Sequence, residues 1–206
     1  TAAPQPMLNA GTLTHYRSGL AALDQHQGIR HLAGDPEDRP HLAAPQLYQA
    51  DSHLLLIGDP LLQEEVFGPA AIVVTVENHQ QLTAALESLQ GQLTATLLTD
   101  ADDLADAAPL AQLLTRKAGR VLFNGYPTGV EVCDAMVHGG PYPATSDTRG
   151  TSVGTLAIER FLRPVCLQNY PAALLPPPLQ DSNPLGLLRL INGIYTRDPI
   201  HSPASN

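Results

Sequence analysis

The sequence predicts an α/β fold built on a parallel sheet, and three observations carry that prediction. Ala71 to Glu77 (AIVVTVE) is rich in β-branched residues and apolar at nearly every position, the composition of a strand buried on both faces. Two further short strand-like runs follow, Thr94 to Thr99 and Arg120 to Phe123. The segments between these runs carry apolar residues at helical spacing. Strand, helix, strand, helix, strand describes parallel strands joined by right-handed crossovers.

The elements follow in chain order. MLNAGTLTHYRSGLAAL is helix-like, with Leu8, Leu13, Tyr16, Leu20 and Leu23 recurring at spacings of three to five. Gly28 ends it, and Ile29 to Ala33 reads as a short strand. Gly34 to Pro45 carries Gly, Pro and charge and reads as an exposed loop. Leu47 to Ala50 reads as a strand, whereas His53 to Ile57 is an apolar run too short for periodicity to assign. Asn78 suits the N-cap of a helix with Leu82, Ala85, Leu86 and Leu89 on one face, and Gly91 stops it. Asp100 to Asp103 complement the dipole of the next helix. Leu104, Ala107, Ala108 and Ala111 are expected to form its apolar face, Lys117 its last turn, and Pro109 a bend or interruption.

After Asn124 the pattern changes. Gly125 to Arg149 is rich in Gly, Pro, Ser and Thr, and it begins at the end of a parallel strand, where open α/β sheets place ligands. Gly154 to Gln168 reads as one long strand. Leu156, Ile158, Phe161, Val165 and Leu167 are apolar, Glu159, Arg160 and Arg163 charged, and Pro164 interrupts regular pairing. Asn169 to Asn206 is a Pro-rich tail. Its one apolar patch, LGLLRLI, has the makings of a short amphipathic helix docked on its own domain.

Composition narrows the function. The 206 residues are 43% hydrophobic, enough for one sizeable domain or a domain with an appendage. Net charge is −9 with only 11 Lys and Arg and no basic cluster, which argues against nucleic acid as a partner. No apolar run reaches transmembrane length and no signal segment is present, so membrane partners are not expected. Cys133 and Cys166 suggest neither a disulfide framework nor a Cys-x-x-Cys metal site, and a reduced cytoplasm is favoured. The eight histidines are scattered without ligand spacing, so no metal is expected. Gly139-Gly140 lacks the Gly-Lys-Ser/Thr of a phosphate loop. The chain opens on Thr1, as a processed protein or a piece of a longer one would.

Four motifs in order carry a resemblance: EEVFGP, GRVLFNGYPTGVEV, MVHGGPYPATSDTRGTSVGTLAIERFLRPVCLQ and LLPPPLQDSNPLGLLRLINGIYTR. Together they resemble the C-terminal half of the aldehyde dehydrogenase superfamily, and within it the α-ketoglutaric semialdehyde (2,5-dioxovalerate) dehydrogenase branch. The resemblance implies a portion of that family's catalytic domain over residues 1–153, an oligomerisation strand over 154–169 that reaches a partner subunit, and a C-terminal tail over 170–206. It implies that Glu65 hydrogen-bonds the nicotinamide ribose of NAD or NADP and that Phe67 packs beside the nicotinamide. An ionised carboxylate accepts from both ribose hydroxyls, which gives the assignment a physical basis. Without the motif, Glu64 and Glu65 read as a solvated turn before a strand. Val130, Val132 and Met136 match the family's substrate-tunnel loop in position, and burial of loop apolars explains them as well.

The family's nucleophilic cysteine and its cofactor domain lie upstream of the matched segment. Neither Cys133 nor Cys166 inherits the nucleophile's role; each reads as a small apolar filler. The resemblance therefore implies a chain that, alone, has no catalytic residue, binds no cofactor and turns over no aldehyde. Its expected partners are the missing N-terminal half and further copies in a homo-oligomer. The competing expectation is a non-catalytic self-association module of the same fold.

Overall fold

The computed structural model describes residues 3–35 and 39–200, in two compact units, one running to Phe161 and the other from Leu162.

The first unit opens with a two-residue strand, β1 (Gln5–Pro6). Helix α1 (Ala10–Gln25) follows, capped by Asn9, whose side chain accepts from the Thr12 amide at 2.9 Å. Then come β2 (Ile29–Ala33), β3 (Leu42–Ala43) and β4 (Gln46–Ala50), helices α2 (Ser52–Leu56) and α3 (Pro60–Gln63), and β5 (Ala70–Val74). Helix α4 (His79–Ser88), β6 (Gln92–Leu97), a 3-10 turn over Ala101–Asp103, α5 (Leu104–Lys117) and β7 (Ala118–Phe123) complete the regular part. Asn78 caps α4 as expected, accepting from the Gln81 amide at 2.9 Å. The His53 to Ile57 run, unassignable by period, lies largely in α2. The expected loop from Gly34 to Pro45 includes residues 36–38, which lie outside the described residues, and otherwise contributes β3.

Strand pairing differs from the expected single parallel run. β4 pairs parallel with β5 and antiparallel with β2, and β6 pairs parallel with β7. No ladder joins β5 to β6 among the described residues, so the parallel pairs fall in two separate sheets, β2-β4-β5 and β6-β7, while β1 and β3 form a short antiparallel ladder of their own. β5 is accordingly an edge. It is not buried on both faces: Val73 keeps 44% of its surface exposed. β4 is the inner strand, and its alternation buries Gln46, Tyr48 and Ala50. Leu13 and Tyr16 of α1 pack with Ala43, and Met7, Leu20, Val66 and Ala70 close around them.

Two helical expectations shift. α5 runs unbroken through Pro109. The carbonyl left without its i+4 donor is that of Ala105, an exposed first-turn residue open to water. The buried face of α5 is Ala107, Leu110, Leu113 and Leu114, so Leu104 and Ala108 lie outside it.

Gly125 to Arg149 is irregular, as expected. The long strand over Gly154 to Gln168 is not formed. Thr155–Phe161 is a 3-10 helix, and 162–168 has no ladder partner among the described residues. An extended segment needs a neighbouring edge to satisfy its backbone, and no described strand pairs with this one. The 3-10 turn is set instead by Gly154 at φ 89°, where a Cβ would come within 3.0 Å of the Cys133 and Met136 carbonyls. The Thr155 hydroxyl also donates to Asp134.

In the second unit LGLLRLI is not a helix. β8 (Arg189–Ile191) and β9 (Ile194–Thr196) form an antiparallel hairpin. Asn192 and Gly193 turn it at φ 49° and 83°, the positive pair that a two-residue hairpin loop requires.

Candidate functional site

The site begins with how α3 is held. Pro60 opens the helix, and the Asp59 carboxylate caps it by accepting from the Leu61 amide at 3.0 Å. The other Asp59 oxygen lies 3.3 Å from Nε2 of His26. The helix ends with the Glu64 amide donating to the Pro60 carbonyl at 3.1 Å, Glu64 itself is extended, and the chain leaves without regular structure through Glu65, Val66 and Phe67.

Val66, half-buried between the exposed Glu65 and Phe67, decides which way this segment faces. Val66 packs on α1 at Gly19, where a Cβ would sit only 2.8 Å from Cγ1 of the valine. Gly68, at φ 155°, lies against the Tyr16 ring with no room for a Cβ. The Tyr16 hydroxyl donates to the Ala44 carbonyl at 2.7 Å and stands 3.3 Å from that of Pro69. The Gln46 amide also donates to Pro69, at 2.9 Å. Burial raises the Tyr16 pKa above its ordinary value, which keeps the hydroxyl a donor. With Val66 and Gly68 turned inward, Glu65 and Phe67 are exposed, Phe67 to 60%.

The Glu65 carboxylate takes part in no ion pair or hydrogen bond among the described residues. Glu64 and Glu65 both lie on the wall of an open cavity of about 770 Å³. Leu82 and Leu86 of α4, Leu89 directly after it, Leu110 of α5 and the whole of β6 form much of the rest. Phe67 is not on that wall, so its ring stands apart from the cavity that Glu65 borders.

The expected substrate-loop residues lie elsewhere in the same unit. Val130 and Val132 are exposed, Val132 to 83%, and Met136 is half-buried. None of the three lines the Glu65 cavity, which Pro127 and His138 reach from the same stretch of chain. Arg120 fixes this stretch. Its guanidinium donates to the carbonyls of Pro127 (2.7 Å) and Gly129 (3.2 Å) and lies 3.7 Å from Sδ of Met136.

Sequence reasoning did not single out Tyr16, Gly19 or Arg120, although these residues set the position of the motif and the loop. Tyr16 was visible only as one apolar position of a helix face. Nothing local announces that its hydroxyl reaches residues 28 and 53 positions away. Cys133 is half-buried and Cys166 exposed, both are free, and no hydrogen bond engages either thiol among the described residues. No group of three or more His, Cys, Asp and Glu stands together to hold a metal among the described residues. No described helix is long and apolar enough to cross a membrane.

The residues present suit a nicotinamide nucleotide. An accessible carboxylate with both oxygens uncommitted accepts two neighbouring hydroxyls. An exposed aromatic ring two residues on offers a face to a second, flat ring.

No family model matches the sequence. Among curated proteins, the chain is 59% identical over 199 residues to the α-ketoglutaric semialdehyde dehydrogenase of Acinetobacter baylyi, covering 96% of this chain and 38% of that protein. It is 51% identical over 188 residues to α-ketoglutaric semialdehyde dehydrogenase 2 of Azospirillum brasilense, covering 91% and 36%. The chain thus spans well under half the length of these relatives. Among solved structures it is similar to Staphylococcus aureus betaine aldehyde dehydrogenase in complex with NAD+, with TM-score 0.55, 19% identity, and 76% of this chain and 29% of that one covered. It is also similar to γ-glutamyl-γ-aminobutyraldehyde dehydrogenase from Burkholderia cenocepacia, with TM-score 0.57, 19% identity, and 75% and 29% covered. At that identity the structural likeness speaks for the fold.

Proposed function

This chain belongs to the aldehyde dehydrogenase superfamily, and from that premise we propose that it is the C-terminal part of an NAD(P)-dependent enzyme that oxidises an aldehyde, α-ketoglutaric semialdehyde, to a carboxylic acid. The observation that carries the proposal is the uncommitted Glu65 carboxylate on a cavity wall, in a segment pinned at Val66 and Gly68. When bound, the nicotinamide supplies the hydride acceptor for the oxidation. In this reading Glu65 accepts the ribose hydroxyls, Phe67 limits where the nicotinamide sits, and Val130, Val132 and Met136 line the aldehyde's approach. Either NAD or NADP satisfies Glu65, because both carry the same nicotinamide ribose.

The chain by itself supplies no nucleophile in this reading. A cysteine nucleophile needs a base within hydrogen-bond reach, and neither Cys133 nor Cys166 has a thiol partner among the described residues. Turnover, and cofactor binding with it, then depend on the N-terminal part of the same protein. Unpaired apolar residues such as Phe161 and Val165 support assembly into a homo-oligomer, with 154–169 as the strand contributed to a partner. Two free thiols favour a cytoplasmic setting.

The test is Glu65→Gln in the full-length enzyme. It keeps the shape and removes charge-assisted hydrogen bonds, each contributing on the order of 1.5–3 kcal/mol. The expected result is a raised KM for the cofactor and slower hydride transfer, with Glu64→Gln near wild type. Damage from Glu64→Gln alone would transfer the role to the neighbouring carboxylate. Turnover by the 206-residue chain alone, abolished by Cys133→Ser, would end the reading that the nucleophile lies elsewhere.

A further inference from the structure

We infer that Asn192-Gly193, the turn of the β8-β9 hairpin, is a self-acting modification site: the chain converts its own asparagine amide there to aspartate and isoaspartate, and the isoaspartyl product opens the hairpin. The inference concerns the second unit alone and does not rest on the aldehyde chemistry proposed above.

Two asparagines in the sequence precede glycine, Asn124 and Asn192. Glycine leaves its amide nitrogen unshielded, because it carries no Cβ. Both asparagines are left-handed, at φ 48° and 49°. They differ in what the reaction requires. The Asn124 carboxamide is committed at both ends. Its oxygen accepts from the Thr99 amide and its nitrogen donates to the Thr99 carbonyl, each at 2.8 Å. Bringing its Cγ onto the Gly125 nitrogen breaks both bonds. The Asn192 carboxamide takes part in no hydrogen bond or ion pair among the described residues, and Asn192 is exposed. The Gly193 amide donates to no backbone carbonyl among the described residues, and the space a Cβ would take there is open. Nucleophile and electrophile are therefore adjacent, uncommitted and open to water.

The turn is also free to move. β8 and β9 pair through three residues each, and an isolated two-stranded hairpin is marginal in water. Leu190, Ile194 and Tyr195 are exposed, so apolar packing adds little to hold it. When the loop opens, the Asn192 side chain swings across the Gly193 nitrogen.

The step needs no oxidant, reductant or metal. The Gly193 nitrogen, giving up its proton, bonds to Cγ of Asn192. The bond from Cγ to Nδ2 breaks, and ammonia leaves with that proton. Water then opens the cyclic imide. Attack at Cγ restores the ordinary main chain with an aspartate side chain. Attack at the main-chain carbonyl leaves the backbone running through Cγ, as isoaspartate. The second product lengthens the main chain by one carbon. The two-residue loop with two positive φ values is fitted to the register Ile191↔Ile194, so lengthening it breaks the pairing nearest the turn.

The experiment incubates the full-length enzyme in warm, mildly alkaline buffer and follows residues 124 and 192 by peptide mapping that separates aspartate from isoaspartate. The expected result is conversion at 192 at least about tenfold faster than at 124, with isoaspartate present. Aged protein should also be cleaved by trypsin after Arg189 and Arg197 at least about tenfold faster than fresh protein, with cleavage after Arg17 unchanged. Asn192→Gly removes the reacting amide and keeps a turn that Gly-Gly suits, so this variant should age without gaining cleavage. Equal conversion at the two asparagines overturns the inference, as does an unmodified Asn192 after Asn124 has reacted. Isoaspartate at 192 with an unchanged cleavage rate would show that the hairpin survives the longer main chain, which overturns the opening. Asn192→Gly that gains cleavage on ageing as the parent does would place the cause outside this turn.

Discussion

Gly68 lies against the aromatic ring of Tyr16 so closely that no side chain fits between them, and its φ of 155° is one that side-chain-bearing residues rarely adopt. The helix α1 therefore holds the end of the Glu65 segment by two means. The ring blocks inward movement, and the hydroxyl reaches the carbonyls of Ala44 and Pro69. A change at Gly68 is felt at Phe67, which lies between the anchoring points Val66 and Gly68, and at Glu65, which directly precedes them.

Gly68→Ala should destabilise the first unit by about 1–3 kcal/mol, from a strained φ and a crowded ring. Chemical denaturation measures it. In the full-length enzyme the same change should raise the KM for the cofactor, because the Glu65 carboxylate shifts with the backbone. Tyr16→Ala should restore part of the lost stability when combined with Gly68→Ala, since it removes the obstacle. Simple additivity of the two costs would show that the ring contact is not what constrains the glycine.

Two buried tyrosines set the alkaline limit of stability. Burial raises the pKa of Tyr16. Tyr48 is raised further, first by burial, then by the hydrogen bond its hydroxyl donates to Asp24 (3.1 Å), the Asp24 charge and the nearby Tyr16. A folded pKa above the unfolded one means the contribution is complete below pH 10 and is lost as pH rises from there through the folded values. Unfolding free energy should thus fall above pH 10 by about 1.4 kcal/mol per pH unit for each of the two while it stays protonated in the fold. Tyr48→Phe should cost about 1 kcal/mol at pH 7 and roughly halve that alkaline slope. An unchanged slope would refute the role given to Tyr48.

Much of this architecture is legible in the sequence because it is local. Asn9 and Asn78 sit where helices start, Ile29 to Ala33 and Ala70 to Val74 have strand composition, and EEVFGP marks the motif that meets the cavity. What the sequence hides is pairing. Nothing in AIVVTVE or QLTATL tells that β5 joins β4 and leaves β6 to β7, because each strand is apolar enough for either neighbour. Gly154 to Gln168 misleads for the same reason: its apolar pattern suits a strand, but a strand exists only where an edge accepts it. The hairpin at Asn192-Gly193 was readable from that dipeptide and was masked by the leucine-rich run before it. The role of Arg120, which fixes a loop by bonding carbonyls seven and nine residues on, leaves no periodic trace.

Arg120 allows the loop reading to be tested apart from the cofactor reading. Its guanidinium is the described link between β7 and the carbonyls of Pro127 and Gly129. Arg120→Met should therefore free the stretch bearing Val130, Val132 and Met136. In the full-length enzyme the expected outcome is a KM for the aldehyde raised by at least about tenfold, equivalent to one hydrogen-bonded charge or roughly 1.4 kcal/mol, with the cofactor KM nearly unchanged. Equal effects on both constants would show that the loop does not act on the aldehyde separately.

The second unit is held by polar contacts rather than by an apolar core. Its one fully buried side chain among the described residues is Asn183, while Leu185, Leu188, Leu190, Ile194 and Tyr195 are exposed. The Asn183 amide donates to the carbonyls of Leu187 (2.9 Å) and Arg197 (2.7 Å), and its oxygen accepts from the Leu187 amide (3.0 Å). These bonds tie together the two ends of the β8-β9 hairpin. Arg189 adds bonds to the carbonyls of Gln180, Asp181 and Asp198. Asn183→Ala removes three hydrogen bonds at once and places alanine at φ 48°. Each lost bond costs about 0.5–1.5 kcal/mol, so local opening should rise at least about tenfold. Trypsin reads this directly: cleavage after Arg189 and Arg197 should accelerate by that factor, while cleavage after Arg17 and Arg30 in the first unit keeps its wild-type rate. Asn183→Asp retains the acceptor for Leu187 and loses both donors, so its rate should fall between wild type and Asn183→Ala. Equal cleavage rates in all three proteins would show that the hairpin is held by something other than this asparagine.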